Sequence, residues 1–354
     1  MEFRLVRGDK TLSFPLDKNT KSSVFSLFPY TDVNGKEYLT FQNPGHEEIL
    51  FYDMESCLPE FKIRLEREGS NGTGRVGGYH VHNMDSIFLT ALGAPIIYIV
   101  DSGARVKDKF RYDKATDGTT LGDFPASSSV YKPMVVIGNR LFIFPRPNRH
   151  QDVNPLCCAV DLADKSVYGL EVQFPKFPFV RETFKAAGAE TEFSSCFNGD
   201  GFAYSFYYDE DILVADAAHS TSRRIKAKSR YISRVGYPND KASTPREICE
   251  NADYGNMIYD RYREVYYRIA YPRTEVDNDV SLWELIQNGR KTFSIVILNK
   301  DFEVIGETRF PDYTYNSMVW FVRADGLYLS ASHFMNPDYS DDWFVFHRFD
   351  LVGN

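Results

Sequence analysis

Six times along the chain an apolar strand, a tight polar turn and a second apolar strand follow one another, and each pair leads into a further strand that usually closes on Asp. The turns and the strands after them read VNGKEYLTF, NMDSIFLTA, IGNRLFIFP, NGDGFAYSF, DRYREVYYRI and RADGLYLSA. A unit of this size cannot bury its own apolar faces, so a series of them calls for neighbours stacked around an axis, as in a β-propeller. The second strands begin near Tyr38, Ile87, Leu141, Phe202, Val265 and Leu327, at spacings of 49, 54, 61, 63 and 62 residues, one four-stranded blade per step. The third strands close at Asp53, Asp101, Asp161, Asp216, Asn299 and Asp350. Their β-branched and aromatic content suits strands covered on both faces, and Asp or Asn suits the turn that follows.

Outer strands follow the first five of these: FKIRLE, KDKFRY, VYGLEVQF, RRIKAKS and EVIGETRF. The sixth is absent, because the sequence ends at Asn354, four residues past the last third strand. Thr11 to Leu16 precedes the first blade and has no other place, so it is expected to join the last blade and close the ring. The expected fold is all-β, a six-bladed propeller of four-stranded antiparallel blades forming a single domain over 1–354. Its blades fall at about 19–66, 67–112, 113–175, 176–230, 231–310, and 311–354 plus 1–18. Two short helices interrupt it. Thr244-Pro245-Arg246-Glu247 has capping-box spacing and predicts a helix over Pro245 to Ala252, and Asp279 to Gln287 has helical apolar spacing with a Gly stop.

Composition narrows the function classes. A net charge of −8 and a pI near 5.5 argue against a nucleic-acid groove, which needs clustered Lys and Arg. Five cysteines, Cys57, Cys157, Cys158, Cys196 and Cys249, include no CxxC pair and read as small buried hydrophobes. No stretch reaches the roughly 20 apolar residues of a bilayer span, so no transmembrane segment is expected. MEFRLVRGDK lacks the apolar centre of a signal peptide; an exported product would carry its leader and a lipid-bearing Cys outside this sequence.

In an antiparallel four-stranded blade the first-to-second and third-to-fourth turns share one face of the disc. The remaining connections share the other, and here they are long: Glu66 to Gly78, Asp113 to Val130, Pro145 to Pro155, Pro175 to Glu190, Ser229 to Asp253, Tyr271 to Lys291 and Ala331 to Trp343. Any site is expected on that face, although loop length alone is also tolerated without function. His80 and His82, two apart on an innermost strand, share a face and suit either an anion or metal site or a hydrogen-bonded structural pair. Arg146, Arg149 and His150 crowd one loop, with Arg273 and His333 in equivalent loops; this is a cationic patch for a carboxylate, sulfate or sugar acid, or simply solvated charge. Glu190, Glu192 and the run Asp209-Glu210-Asp211 supply carboxylates for acid/base work or an ordinary hairpin tip. Tyr79, Tyr131, Tyr254, Tyr271 and Trp343 are candidates to stack on sugar rings or a peptide. Gly72-Thr73-Gly74-Arg75-Val76-Gly77 matches a dinucleotide fingerprint in letters only, because a strand follows it instead of a helix. No GxSxG, HExxH, EF-hand or Walker motif is present.

The repeat, and in particular Glu68-Gly69-Ser70-Asn71-Gly72-Thr73-Gly74 leading into YHVHNMDSIFL, resembles the TolB-like six-bladed propellers. More narrowly it resembles a family of domains of unknown function found mainly in gut Bacteroidetes, often as lipoproteins. The resemblance implies an envelope protein, periplasmic or anchored in the outer membrane, with no catalytic residues to carry over. The expected function is non-enzymatic recognition of a glycan, peptide or protein partner on the long-loop face, with Tyr79, His80, His82, Arg146, His150, Glu192, Tyr254, Arg273 and His333 as binding candidates. No catalytic residue, cofactor or metal is assigned. The alternative is a hydrolase or lyase at the channel mouth, using calcium or zinc or a carboxylate pair.

Overall fold

Within each sheet, successive strands pair antiparallel in the computed structural model, which describes residues 2–43, 45–121, 126–147, 153–176, 191–236 and 244–353. The N-terminal strand β1 (Phe3–Pro15) is followed by a first sheet of β2 (Leu27–Thr31), β3 (Glu37–Asn43), β4 (Glu48–Asp53) and β5 (Pro59–Arg64). The second sheet is β6 (Val76–Asn83), β7 (Ser86–Ala91), β8 (Ile96–Val100) and β9 (Val106–Arg111). The third is β10 (Val135–Ile137), β11 (Arg140–Ile143), β12 (Cys158–Asp161) and β13 (Val167–Gly169), and the fourth is β14 (Phe193–Phe197), β15 (Gly201–Phe206), β16 (Asp211–Asp216) and β17 (Ser222–Lys226). The helix α1 (Pro245–Glu250) leads to β18 (Asp253–Asp260) and β19 (Val265–Tyr271). The helix α2 (Leu282–Asn288) then precedes β20 (Ser294–Leu298), β21 (Val304–Arg309), β22 (Asn316–Arg323), β23 (Gly326–Ser330) and β24 (Trp343–Gly353).

Two compact units partition the chain: Asp17–Pro175 with Ala218–Thr221, and Met1–Leu16 with Lys176–Ala217 and Ser222–Asn354. In the first, Ile49, Phe51 and Ile63 pack with Tyr79, Ile87 and Leu89 between sheets one and two. Phe88, Ile97 and Phe110 pack with Leu141, Ile143 and Val160 between sheets two and three. In the second, Ile212 and Ala203 of the fourth sheet pack with Met257, Tyr266 and Val296. Each fully buried aliphatic or aromatic side chain in these layers stabilises by about 1.5–3 kcal/mol, which is why the sheets stack face to face.

The eight-stranded sheet, ordered β18-β19-β20-β21-β1-β24-β23-β22, consists of two antiparallel four-stranded runs joined by one parallel pairing, Phe3 to Gly306. The joint has no room for a side chain, since a Cβ on Gly306 would lie 1.9 Å from the Phe3 carbonyl oxygen. As the fourth strand beside β24, β1 begins at Phe3, well before the expected Thr11. It pairs Phe3 with Gly353 and Pro15 with Trp343, slipping once between Arg7 and Thr11. For the same reason β24 runs on past Asp350 to Gly353.

The closing Asp residues do what their position predicts. Asp53 Oδ1 accepts from the N–H groups of Glu55 (2.8 Å) and Ser56 (2.7 Å), Asp101 Oδ1 from Gly103 (2.9 Å) and Arg105 (3.0 Å), and Asn299 Oδ1 from Asp301 (3.0 Å) and Glu303 (2.9 Å). Each turn then places one residue in the left-handed region: Cys57, Ala104 and Phe302 there, and Lys165 and His219 after Asp161 and Asp216. The third outer strand is much shorter than expected. β13 stops at Gly169, where the register shifts by one residue, and the Leu170 N–H to Cys157 carbonyl (3.0 Å) and Leu156 N–H to Val172 carbonyl (2.9 Å) bonds carry the pairing on to a Pro155–Gln173 bridge. Thr244 and Glu247 form the expected capping box of α1; α2, expected from Asp279, begins at Leu282 after its cap Ser281 and stops at Gly289 with φ 98°.

Candidate functional site

Within every sheet the two ends differ. Turns between first and second strands span 32–36, 84–85, 138–139, 198–200, 261–264 and 324–325. At the opposite end the described chain runs through 65–75, 112–121, 126–134, 144–147 and 153–157 in the first unit, and through 227–236, 244–252, 272–293 and 331–342 in the second. These connections carry exposed large apolar side chains: Tyr231, Trp283 and Met335, with Trp343 at the start of β24 and Phe25 just before β2. Of the dinucleotide-like glycines, Gly72 and Gly74 lie in the 65–75 connection, Gly74 with positive φ, and Gly77 already lies in strand β6.

In the first unit one segment is held with unusual firmness. The Ser128 carbonyl accepts from the Ser26 hydroxyl, Ser128 Oγ accepts from the Met134 N–H (3.2 Å), and the Val130 N–H donates to the Phe25 carbonyl (3.1 Å). Gly78, with φ 158°, lies so close that a Cβ there would sit 2.2 Å from the Ser128 carbonyl oxygen. Ser129 and Lys132 exchange backbone hydrogen bonds of 3.3 and 3.2 Å as an antiparallel bridge. Lys132 is only 3% exposed, and burial together with the nearby charge of Arg146 pushes its ammonium down to about 7.

His80 and His82 share a face as expected, flanking Phe88 with ring centroids 6.3 and 6.4 Å away. His80 is half-buried and pushed down to about 4, first by burial and then by His82, which is exposed. Among the described residues no group of three His, Cys, Asp or Glu gathers around a point. Tyr79 is fully buried; its hydroxyl donates to Thr40 Oγ1 (2.7 Å) and its ring meets Phe28 edge to face, so neither ring face is open to a ligand. Arg146 is half-buried in the 144–147 stretch, and Arg149 and His150 lie outside the described residues.

In the second unit Tyr254 is likewise core. Its ring lies 3.8 Å from the Arg268 guanidinium carbon and its hydroxyl accepts from the Ser229 N–H (3.1 Å). Glu192 is half-buried just before β14, and Arg273 is exposed in the 272–293 connection; Glu190 lies outside the described residues. The acidic run is engaged structurally. Asp209 pairs with Arg224, Glu210 with Lys228 (2.8 Å), and the carbonyls of Asp209 and Glu210 receive Arg268 at 2.6 and 2.8 Å. Arg290, which the motif reading passed over, pairs with Asp253 (2.7 Å) and lies 4.2 Å from the Tyr271 ring, whose hydroxyl meets Ser317 Oγ at 2.8 Å. Burial drives the Asp253 carboxyl up to about 6 against the pull of Arg290.

His333 is completely buried between two backbone groups, with Nε2 3.1 Å from the Gly289 carbonyl and Nδ1 accepting from the Met335 N–H at 3.1 Å. That arrangement requires the neutral ring, and burial pushes its pKa down to about 4. Below pH 6.5 the unfolded chain therefore takes a proton that the folded chain refuses, so stability falls as pH drops toward 4. At pH 5 the loss from this one group is about 2 kcal/mol relative to pH 7.5. Urea denaturation at the two pH values should show it, and in His333→Gln the difference should shrink by that amount.

Lys132, like Arg290, is a buried charged residue that motif reading missed. The available signal was a single Lys inside the apolar stretch Val130-Tyr131-Lys132-Pro133-Met134-Val135-Val136. Trp283, exposed on α2, was concealed in the same way, since its helical spacing reads as core.

Comparison with known proteins then supplies relatives. Among solved structures the chain is similar to a DUF4221-family protein from Bacteroides vulgatus, at 26% identity and a TM-score of 0.86 over 100% of this chain and 99% of that one. A protein of Bacteroides fragilis whose name marks it as exported aligns at 8% identity, with a TM-score of 0.60 over 99% and 96% of the two chains. A gluconolactonase of Xanthomonas campestris shares the fold at 8% identity and a TM-score of 0.51 over 99% and 95%. No curated protein matches. The family model described as Domain of unknown function (DUF4221) matches residues 2–309, and the chain belongs to that family.

Proposed function

We propose that this chain is a six-bladed propeller of the bacterial cell envelope that binds a glycan, peptide or protein partner at the long-loop ends of its sheets, without catalysis. The observation that carries this reading is the set of exposed aromatic side chains, Phe25, Tyr231, Trp283 and Trp343, standing on or beside the long connections. Aromatic rings are rigid, and their large faces suit sugar rings and peptide side chains alike. Six four-stranded runs, with β1 completing the last one, support a ring closed by its own N-terminal strand. An envelope location is supported by the Bacteroides relatives, one of them named as exported, and a lipid anchor would lie outside this sequence. No helix among the described residues is long and apolar enough to cross a membrane.

The test is a screen of purified protein against glycan and peptide arrays and envelope extracts. Trp283→Ala and Trp343→Ala, both at exposed positions, should fold normally and weaken the bound ligand at least ten-fold. Val33→Ala and Tyr262→Ala at the tight-turn ends should leave binding unchanged. A ligand indifferent to the first pair, or no ligand at all, rejects the proposal.

A further inference from the structure

We propose that the exposed face built from α2 and the 331–343 segment docks an Arg-bearing segment of a protein or peptide partner; this rests on the binding reading above and names the partner's chemistry. α2 turns Leu282, Leu285 and Ile286 onto the cluster of Cys249, Val276 and Val280, and Phe334 packs on the same cluster. The His333 ring next to it reaches the Gly289 carbonyl at the end of α2 (3.1 Å), and Ser332 Oγ accepts from the Val345 N–H of β24 (3.1 Å), so the three segments are tied side by side. Trp283 falls off the inward stripe of α2 and stands 64% exposed. Met335 follows Phe334 at 39% and Trp343 opens β24 at 45%, and all three belong to one compact unit. A single exposed apolar residue is ordinary, but two indoles and a thioether on adjoining segments make a contact patch.

Charge decides what this face takes. In the connections 272–293 and 331–342, Arg290 is engaged with Asp253 and Lys291 with Asp277 (3.5 Å). That leaves Glu275, Asp279, Glu284, Asp338, Asp341 and Asp342, all exposed and without an ion pair among the described residues, against the one remaining cation Arg273. A guanidinium stacks on an indole face and pairs with a carboxylate through the same planar group, so Arg is the residue that both features select. An acidic or sulfated partner would meet those carboxylates as like charge. The backbone beneath the rings is also held in place. Ser281 Oγ accepts from the Glu284 N–H (3.4 Å), and Tyr313 donates its hydroxyl to Asp277 Oδ2 (3.2 Å) and its N–H to the Lys291 carbonyl (2.8 Å).

Fluorescence anisotropy on the full chain should use a labelled peptide of alternating Arg and Leu, the same peptide with citrulline for Arg, and one with Glu for Arg. Saturable binding of the Arg peptide is expected, about ten-fold tighter than that of the citrulline peptide, with no binding of the Glu peptide. It should weaken as sodium chloride rises from about 0.01 M to about 0.15 M, where the screening length falls from about 30 Å to about 8 Å. Trp283→Ala, and separately the combined Glu284→Gln, Asp338→Asn and Asp342→Asn variant, should each weaken it about ten-fold with an unchanged melting temperature, and either carries the test if the other does not fold. No saturable binding of the Arg peptide, equal binding of the citrulline peptide, or binding unchanged in either folded variant overturns the inference. A neutral or anionic ligand from the array screen that is lost in Trp283→Ala yet indifferent to salt and to the carboxylate variant also overturns it, while leaving the binding proposal standing; the absence of any ligand overturns both.

Discussion

A chain that begins at Asp17 should fail to give a cooperatively folded monomer. β1 covers the whole length of β24, from Phe3 opposite Gly353 to Pro15 opposite Trp343, and inserts Leu5, Leu12 and Phe14 as buried side chains, with Phe14 edge to face against Phe346 at 6.0 Å. Without it, β24 presents an unpaired edge and loses the cover over Phe344 and Phe346, the combination that drives strands to pair between molecules. Phe14→Ala is the graded version and should cost about 3–5 kcal/mol through transfer and cavity terms. Size-exclusion chromatography and urea denaturation check both, and a peptide of residues 2–16 added to the truncated chain should restore part of the folded monomer. A truncated chain with a full cooperative transition contradicts this account.

Arg268 carries the second large effect. It is fully buried on β19, with Nε donating to Ser205 Oγ (2.9 Å), Nη1 to the carbonyls of Glu210 (2.8 Å) and Ala227 (3.0 Å), and Nη2 to that of Asp209 (2.6 Å), beneath the Tyr254 ring. Burial lowers its pKa only to about 10, so it is charged at neutral pH. One planar fork thus satisfies the carbonyls of the 207–210 turn and the end of the fourth sheet. Arg268→Met removes the charge but strands those carbonyls in the interior, for a loss of about 3–5 kcal/mol. Arg268→Lys should recover only part of that, since a single ammonium cannot reach acceptors on both sides. Equal stability of the Lys variant and the parent in urea denaturation would show that charge alone matters there.

Local chemistry was the legible part of this sequence. The second strands start at Glu37, Ser86, Arg140, Gly201, Val265 and Gly326, each within one residue of the expected position, because a two-residue alternation beside a polar turn is decided by neighbours along the chain. The same holds for the α1 capping box and for Asp53, Asp101 and Asn299 in their turns. What failed to show was which face of an inner strand meets the next sheet. Alternation assigns Tyr79 and His80 to opposite faces without saying that Tyr79 is the one enclosed, where its hydroxyl finds Thr40 in another sheet. Tyr254 and His333, expected near a binding surface, are core for the same reason: their partners Arg268 and Gly289 are brought to them by packing and not by spacing. Lys132 and Arg290 were hidden too, because burial of a charge is a property of the assembled sheets.

The most direct measurement is hydrogen–deuterium exchange on the purified chain, with and without the ligand recovered from the array screen. Protection is predicted in the connections that carry Tyr231, Trp283 and Trp343, with no change in the turns at 32–36, 138–139 and 261–264. Protection confined to those tight turns, or spread evenly over both ends of the sheets, would contradict it.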